Sequence, residues 1–187
     1  IIYKPIPRDR DQAFCLYDGI VPFFVGEYIT QIEGYGENYP RIYDLSWNGR
    51  YVDRKFLPEA TKKQYDSIAT LIQTKITDEI IVNSVKKLPP EWYRLEGKHL
   101  EGMIKTRRDK LKDITDEYYD LVNEVADIYG SDKSEYIEIN NIGDDRVEVK
   151  MYKKDKDTKE KKGEPFFQKV FSSDETDEIR IYLNEGK

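Results

Sequence analysis

The chain has 187 residues, of which 38% are hydrophobic, 36% charged and 13% aromatic, and its 37 acids against 31 bases leave a formal net charge of −6. That is enough for one large domain or two small ones. The aromatic share argues against disorder, and the acidic balance excludes a general nucleic-acid or anionic-membrane surface. A single cysteine, Cys15, and a single histidine, His99, exclude an internal disulfide and a zinc cluster, and no run approaches the roughly 18 consecutive apolar residues of a transmembrane helix.

The first informative stretch is Pro7-Arg8-Asp9-Arg10-Asp11-Gln12-Ala13-Phe14. In an extended backbone alternate side chains share a face, so Asp9 and Asp11 point the same way and can hold one hard cation. Magnesium takes one or two carboxylates and fills its other positions with water or phosphate oxygens, which makes the pair apt for phosphoryl transfer. The structural alternative is an ion-pair network of Asp9 and Asp11 with Arg8, Arg10, Arg50 or Arg54. The start at Ile1-Ile2-Tyr3, with no initiator methionine, reads as an excerpt of a longer polypeptide.

Up to about residue 57 prolines and glycines punctuate short aromatic segments, which predicts irregular structure. Cys15, between Phe14 and Leu16, reads as a small buried hydrophobe. Gly34-Tyr35-Gly36 reads as a turn, since a phosphate loop needs a strand before it and a helix after it. Tyr28, Tyr35, Tyr39, Tyr43 and Trp47 are candidates for facing a partner, because these side chains give large contact area at modest entropic cost; core packing accounts for each of them equally.

From Pro58 the rhythm becomes helical. Tyr65, Ile68, Ala69, Ile72 and Ile76 recur at spacings of three and four and predict a helix with that face in the core. Thr77 caps a second helix through Ile81, Val85 and Leu88, which Pro89-Pro90 ends. A third and longest helix is predicted from Gly97 to Tyr129, with Leu100, Met103, Ile104, Leu111, Ile114, Tyr118, Leu121, Val125 and Ile128 as its stripe. Arg107 interrupts that stripe, either covering apolar surface with its stem or pairing a buried acid. His99 reads as a surface residue.

After Gly130 the period becomes two. Ile137 and Ile139, then Val147, Val149 and Met151, then Phe167, Lys169 and Phe171, then Ile179, Ile181 and Leu183 mark four strands. Residues 141–145 join the first two as a hairpin, and the lysine-rich stretch 153–164 reads as a solvated loop. The predicted fold is therefore α+β: an irregular N-terminal segment, a three-helix part with one long helix, and a small four-stranded antiparallel sheet. The predicted domains are 1–130 and 131–187, and the thin sheet must bury its apolar face against helices or another domain.

Several motifs together carry a resemblance: Pro5-Ile6-Pro7-Arg8-Asp9-Arg10-Asp11-Gln12-Ala13-Phe14, Tyr17-Asp18-Gly19, Arg50-Tyr51-Val52-Asp53-Arg54, Thr77-Asp78-Glu79, Leu88-Pro89-Pro90, Arg107-Arg108-Asp109-Lys110-Leu111, Gly130-Ser131-Asp132-Lys133, and Glu175-Thr176 through Ile179-Arg180-Ile181-Tyr182. Over nearly its whole length the chain resembles uncharacterised envelope proteins of Bacteroidetes-type bacteria, in which such a region links a metallophosphoesterase-like domain to a surface-antigen outer-membrane barrel. The resemblance implies a non-catalytic connector or interaction domain in the periplasm or at the outer membrane. Its partners would be neighbouring domains of the same polypeptide or other envelope proteins.

More distantly the Asp-x-Asp followed by an aromatic is similar to the metal-binding turn of the spore-coat CotH family of kinase-like proteins. That likeness implies magnesium on Asp9 or Asp11, ATP as cosubstrate of the full-length protein, and a kinase C-lobe over residues 58–129. The nucleotide-covering lobe and catalytic loop would then precede Ile1, so this chain alone is not expected to transfer phosphate.

Overall fold

The computed structural model describes residues 13–17, 34–155 and 157–183. Its helices are α1 (Ile42–Ser46), α2 (Arg50–Phe56), α3 (Lys62–Lys75), α4 (Asp78–Val85), α5 (Pro90–Trp92), α6 (Lys98–Asp109) and α7 (Leu111–Asn123), with a π-helical turn, Tyr93–Gly97, joining α5 to α6. The strands are β1 (Val125–Tyr129), β2 (Glu135–Gly143), β3 (Arg146–Lys154), β4 (Lys161–Ser172) and β5 (Glu178–Tyr182). The chain is α+β, as the change of period from 3.6 to 2 requires. It divides into two compact units: one takes the chain up to Trp47 together with Thr70–Ile114, the other Asn48–Ala69 with Thr115–Lys187.

Local chemistry sets the helix boundaries. Thr61 and Gln64 form a reciprocal cap, with the Thr61 N–H donating to Gln64 Oε1 at 2.7 Å and the Gln64 N–H to Thr61 Oγ1 at 3.4 Å, so α3 begins there rather than at Pro58. Thr77 accepts from the Ile80 N–H and caps α4, and Pro90 opens α5. Short helices α1 and α2 lie within the stretch expected to be irregular.

The predicted face of α3 is only partly a core face. The helix turns Tyr65, Ala69 and Gln73 inward, and the Gln73 amide donates to the carbonyls of Arg108 and Asp109, both at 3.0 Å. Ile68, Leu71, Ile72 and Ile76 stay exposed.

The single helix expected from Gly97 to Tyr129 is three elements. Lys110 leaves helical geometry at φ −84°, ψ 0° and separates α6 from α7. Helix α7 then stops at Asn123, and Val125–Tyr129 is the strand β1. That pentapeptide keeps the apolar rhythm of the helix before it, yet it is extended because a distant strand supplies its hydrogen bonds.

Three of the four expected strands, β2, β3 and β4, form an antiparallel sheet in that order. The fourth, β5, pairs parallel with β1 instead, Ala126 opposite Ile179 and Ile128 opposite Ile181. The β2–β3 turn runs through Gly143, Asp144 and Asp145 at φ 79°, 51° and 53°, conformations for which glycine and aspartate carry the smallest penalty.

Register places Ile137 and Ile139 of β2, Val147, Val149 and Met151 of β3, and Phe167, Lys169 and Phe171 of β4 on one face. Ala126 and Ile128 pack on it with Ile179 and Ile181, forming a core in which Val149 and Met151 are 0% exposed. Each such side chain contributes about 1.5–3 kcal/mol by leaving water. Ile139, on the same face but on the outer strand, is 60% exposed.

Candidate functional site

The Asp9–Asp11 pair and Tyr28 lie outside the described residues. Tyr35 and Tyr39 are brought together by Arg107, the residue that interrupts the stripe of α6. Its guanidinium lies 4.6 Å from the Tyr35 ring centroid and 4.0 Å from that of Tyr39. It also donates to the carbonyls of Gly36 at 3.3 Å and Asn38 at 3.2 Å, while the Tyr39 hydroxyl donates to the Arg107 carbonyl at 3.1 Å.

Arg107 thus meets carbonyl oxygens and ring faces, where the sequence suggested an apolar cover or a buried acid. A planar guanidinium suits this double role, because its edge donates while its faces stack. The Tyr35 ring is also edge-on to Phe14 at 4.9 Å, and burial raises the Tyr35 hydroxyl above the usual tyrosine value against the lowering pull of Arg107. Gly34-Tyr35-Gly36 lies in a segment with neither helix nor strand.

Tyr43 and Trp47 pair along α1 with ring centroids 5.2 Å apart, and Tyr43 is exposed. Nearby Asp44 is buried: one oxygen accepts from Arg41 Nε at 2.7 Å and the other has no hydrogen-bond partner. His99 is exposed and Cys15 half-buried.

Beyond Tyr93–Gly97 the buried carboxylate of Glu101 is fixed by the Tyr93 hydroxyl at 2.8 Å and Lys98 Nζ at 2.9 Å. The π-helical turn packs Tyr93 directly on Gly97, where an added Cβ would lie 2.3 Å from the ring. At Asp78, the hydrogen bonds of Arg108 and Lys105 hold the carboxyl below its usual range, the two contacts being 2.7 and 2.9 Å.

A further set of ionisable side chains lies in the β-containing unit and was not singled out from sequence. Tyr65 of α3 packs against Tyr118 and Tyr119 of α7, at centroid distances of 6.1 and 5.2 Å. Burial, then the neighbouring Asp53 carboxylate, pushes the Tyr65 hydroxyl up to about 12, and that hydroxyl is buried without a partner. Burial likewise raises Tyr118, helped by its hydrogen bond to Asp53. Tyr119 is raised by burial and by donating to Glu175 at 2.9 Å.

Lys62 bridges Asp66 and Asp116 beside this cluster. Lys169, on the core face of β4, reaches the Pro58 carbonyl at 2.7 Å and Asn123 Oδ1 at 2.8 Å, and burial lowers its affinity for a proton. The only signal for this cluster in the sequence is the adjacency Tyr118-Tyr119 with Tyr65 on a second helix, which is equally the signature of ordinary core aromatics.

Chemically these contacts position and tie segments. Among the described residues no three His, Cys, Asp or Glu side chains are placed to hold a metal ion, and no helix is long and apolar enough to cross a membrane. Compared with known proteins, the chain matches no family model, no curated protein and no solved structure.

Proposed function

We propose that this chain is a non-catalytic connector or interaction module of a larger bacterial cell-envelope protein, meeting neighbouring domains or other envelope proteins through its helical unit. The observation that carries the reading is an apolar surface on that unit. Leu71 and Ile72 on α3, Ile76 just beyond its end and Ile80 on α4 are all exposed, Leu71 at 55%. Large apolar side chains exposed close together in the chain are costly to leave in water and mark a surface that a partner covers. Tyr43 adds an exposed aromatic to the same unit. The envelope setting is supported by the resemblance of the motifs from Pro5 to Tyr182.

The test is site-specific photocrosslinking in cells with the full-length protein, the probe placed at Leu71, at Tyr43 and at the exposed, charged control position Lys133. Adducts from Leu71 and Tyr43 to a neighbouring domain or to an envelope protein, identified by mass spectrometry and absent at Lys133, are the expected result. Equal yields at all three positions would sink the reading. Magnesium-dependent ATP binding by the full-length protein, lost in Asp9→Ala/Asp11→Ala, would replace it with the phosphotransferase.

A further inference from the structure

The parallel pair β1–β5 leaves hydrogen-bonding groups that no strand among the described residues uses. The Glu178 N–H donates to the Glu124 carbonyl and the Gly130 N–H to the Tyr182 carbonyl. With Ala126 opposite Ile179 and Ile128 opposite Ile181, the alternation of a parallel ladder spends the amides and carbonyls of Glu178, Arg180 and Tyr182 on β1. Those of Ile179 and Ile181 point away from it.

Burial identifies β5 as the outer strand of the pair. Ala126, Asp127 and Ile128 of β1 are buried, whereas every residue of β5 is at least partly exposed. The run Glu178-Ile179-Arg180-Ile181-Tyr182 has no proline, no lysine and no register shift against β1, and its two charges, Glu178 and Arg180, pair with each other. A two-stranded sheet is marginal alone, and a parallel one is normally flanked by further strands.

We infer that β5 pairs antiparallel with β5 of a second copy of this chain, across a two-fold axis at Ile181. The sequence is self-complementary in that register. Ile181 meets Ile181 of the second copy and Ile179 meets its Leu183, which keeps apolar side chains on the face already packed on β2–β4. On the other face Arg180 comes opposite Tyr182 of the second copy, a guanidinium beside an aromatic ring, while its own Glu178 holds it at 2.6 Å. The contact is isologous, so it closes at two copies rather than propagating into a filament. Exposed Leu183 becomes covered.

A single five-residue strand buries less than the roughly 1,200 Å² of a stable interface, so this is a weak, concentration-dependent dimer. It does not rest on the connector reading, because β5 and the exposed residues of α3 and α4 belong to different units.

The experiment is sedimentation equilibrium of the intact chain from about 10 μM to about 1 mM, the range in which weak contacts form. It is paired with NMR measurement of amide exchange over the same range. The expected mass rises towards two copies, and the Ile179 and Ile181 amides slow several-fold as it does, while the Arg180 amide, bonded to β1 throughout, does not change. Tyr182→Lys, which places a cation opposite Arg180 without altering the backbone, abolishes the rise. A monomer at every concentration overturns the inference, as does a dimer in which the Ile179 and Ile181 amides are unaffected. The exchange data decide the matter even if Tyr182→Lys does not fold. A monomer would leave photocrosslinking at Leu71 untouched.

Discussion

In the unit that carries the sheets, Val149, Met151, Phe167 and Phe171 are closed in by Ala126 and Ile128, and alternate residues along each strand do the closing. Among the described residues of the helical unit, the buried apolar side chains are Ile81 and Val85 on α4 and Met103 on α6. Much of what fixes that unit is polar: Arg107 on the carbonyls of Gly36 and Asn38, Gln73 on those of Arg108 and Asp109, and Arg108 on Asp78. The contrast shows two ways of specifying a structure. Among the described residues the first unit buries a closed apolar layer, and the second sets oriented donors beside apolar helix residues that stay exposed.

That contrast is open to direct attack, most strongly at the β core. Phe171→Ala should cost about 3–5 kcal/mol in urea unfolding, because it empties a closed layer, while Leu71→Ser should stay within about 0.5 kcal/mol. Similar losses for the two would mean that α3 is covered after all. Next in size is Gly97→Ala, where the added methyl collides with the Tyr93 ring. It should cost about 1–3 kcal/mol, and circular dichroism should report the change in the helical unit, with near-ultraviolet signals of the β-unit tyrosines preserved. Full retention of stability would show that the π-helical turn opens freely.

The smallest effect sharpens the comparison from the β side. Tyr65→Phe removes a buried hydroxyl with no partner and should stabilise by about 1 kcal/mol or less. It also carries a pH signature. Tyr65 is pushed up to about 12 in the folded chain, whereas in the unfolded chain a tyrosine begins to ionise near pH 10. The folded state therefore binds the extra proton, and stability from this group is whole below about pH 10 and lost as pH rises towards 12. Alkaline titration of unfolding should be shallower in Tyr65→Phe. An unchanged slope would place the effect on Tyr118 or Tyr119.

The strands β2, β3 and β4 and the turn at Gly143-Asp144-Asp145 are legible in the sequence because period-two alternation and turn chemistry are local. The cap at Thr77 is legible for the same reason, whereas the helical start at Pro90 is not, because Pro89-Pro90 reads as the end of the helix before it. What escapes is decided at a distance. Val125–Tyr129 continues the helical rhythm of Leu121 and is extended only because β5 lies beside it. The exposure of Ile68, Leu71 and Ile72 follows from which edge of a broad apolar stripe is buried, and that is not a local property of the helix. Of the site, the pairing of Arg107 with Tyr35 and Tyr39 is invisible in sequence because a loop and a helix far apart in the chain supply it. The motif at Asp9 and Asp11 is visible only as sequence.

The parallel pairing of β1 with β5 also sets an order of events during synthesis. β1 leaves the ribosome before the whole β2–β4 meander, and its partner arrives after it. Until then Ala126 and Ile128 have no neighbour strand, so the hairpins can form at once but the layer that covers them waits for the far end of the sequence. A ribosome stalled before Glu178 would hold a chain with its meander formed and its β1 strand open to whatever apolar surface or chaperone it met first.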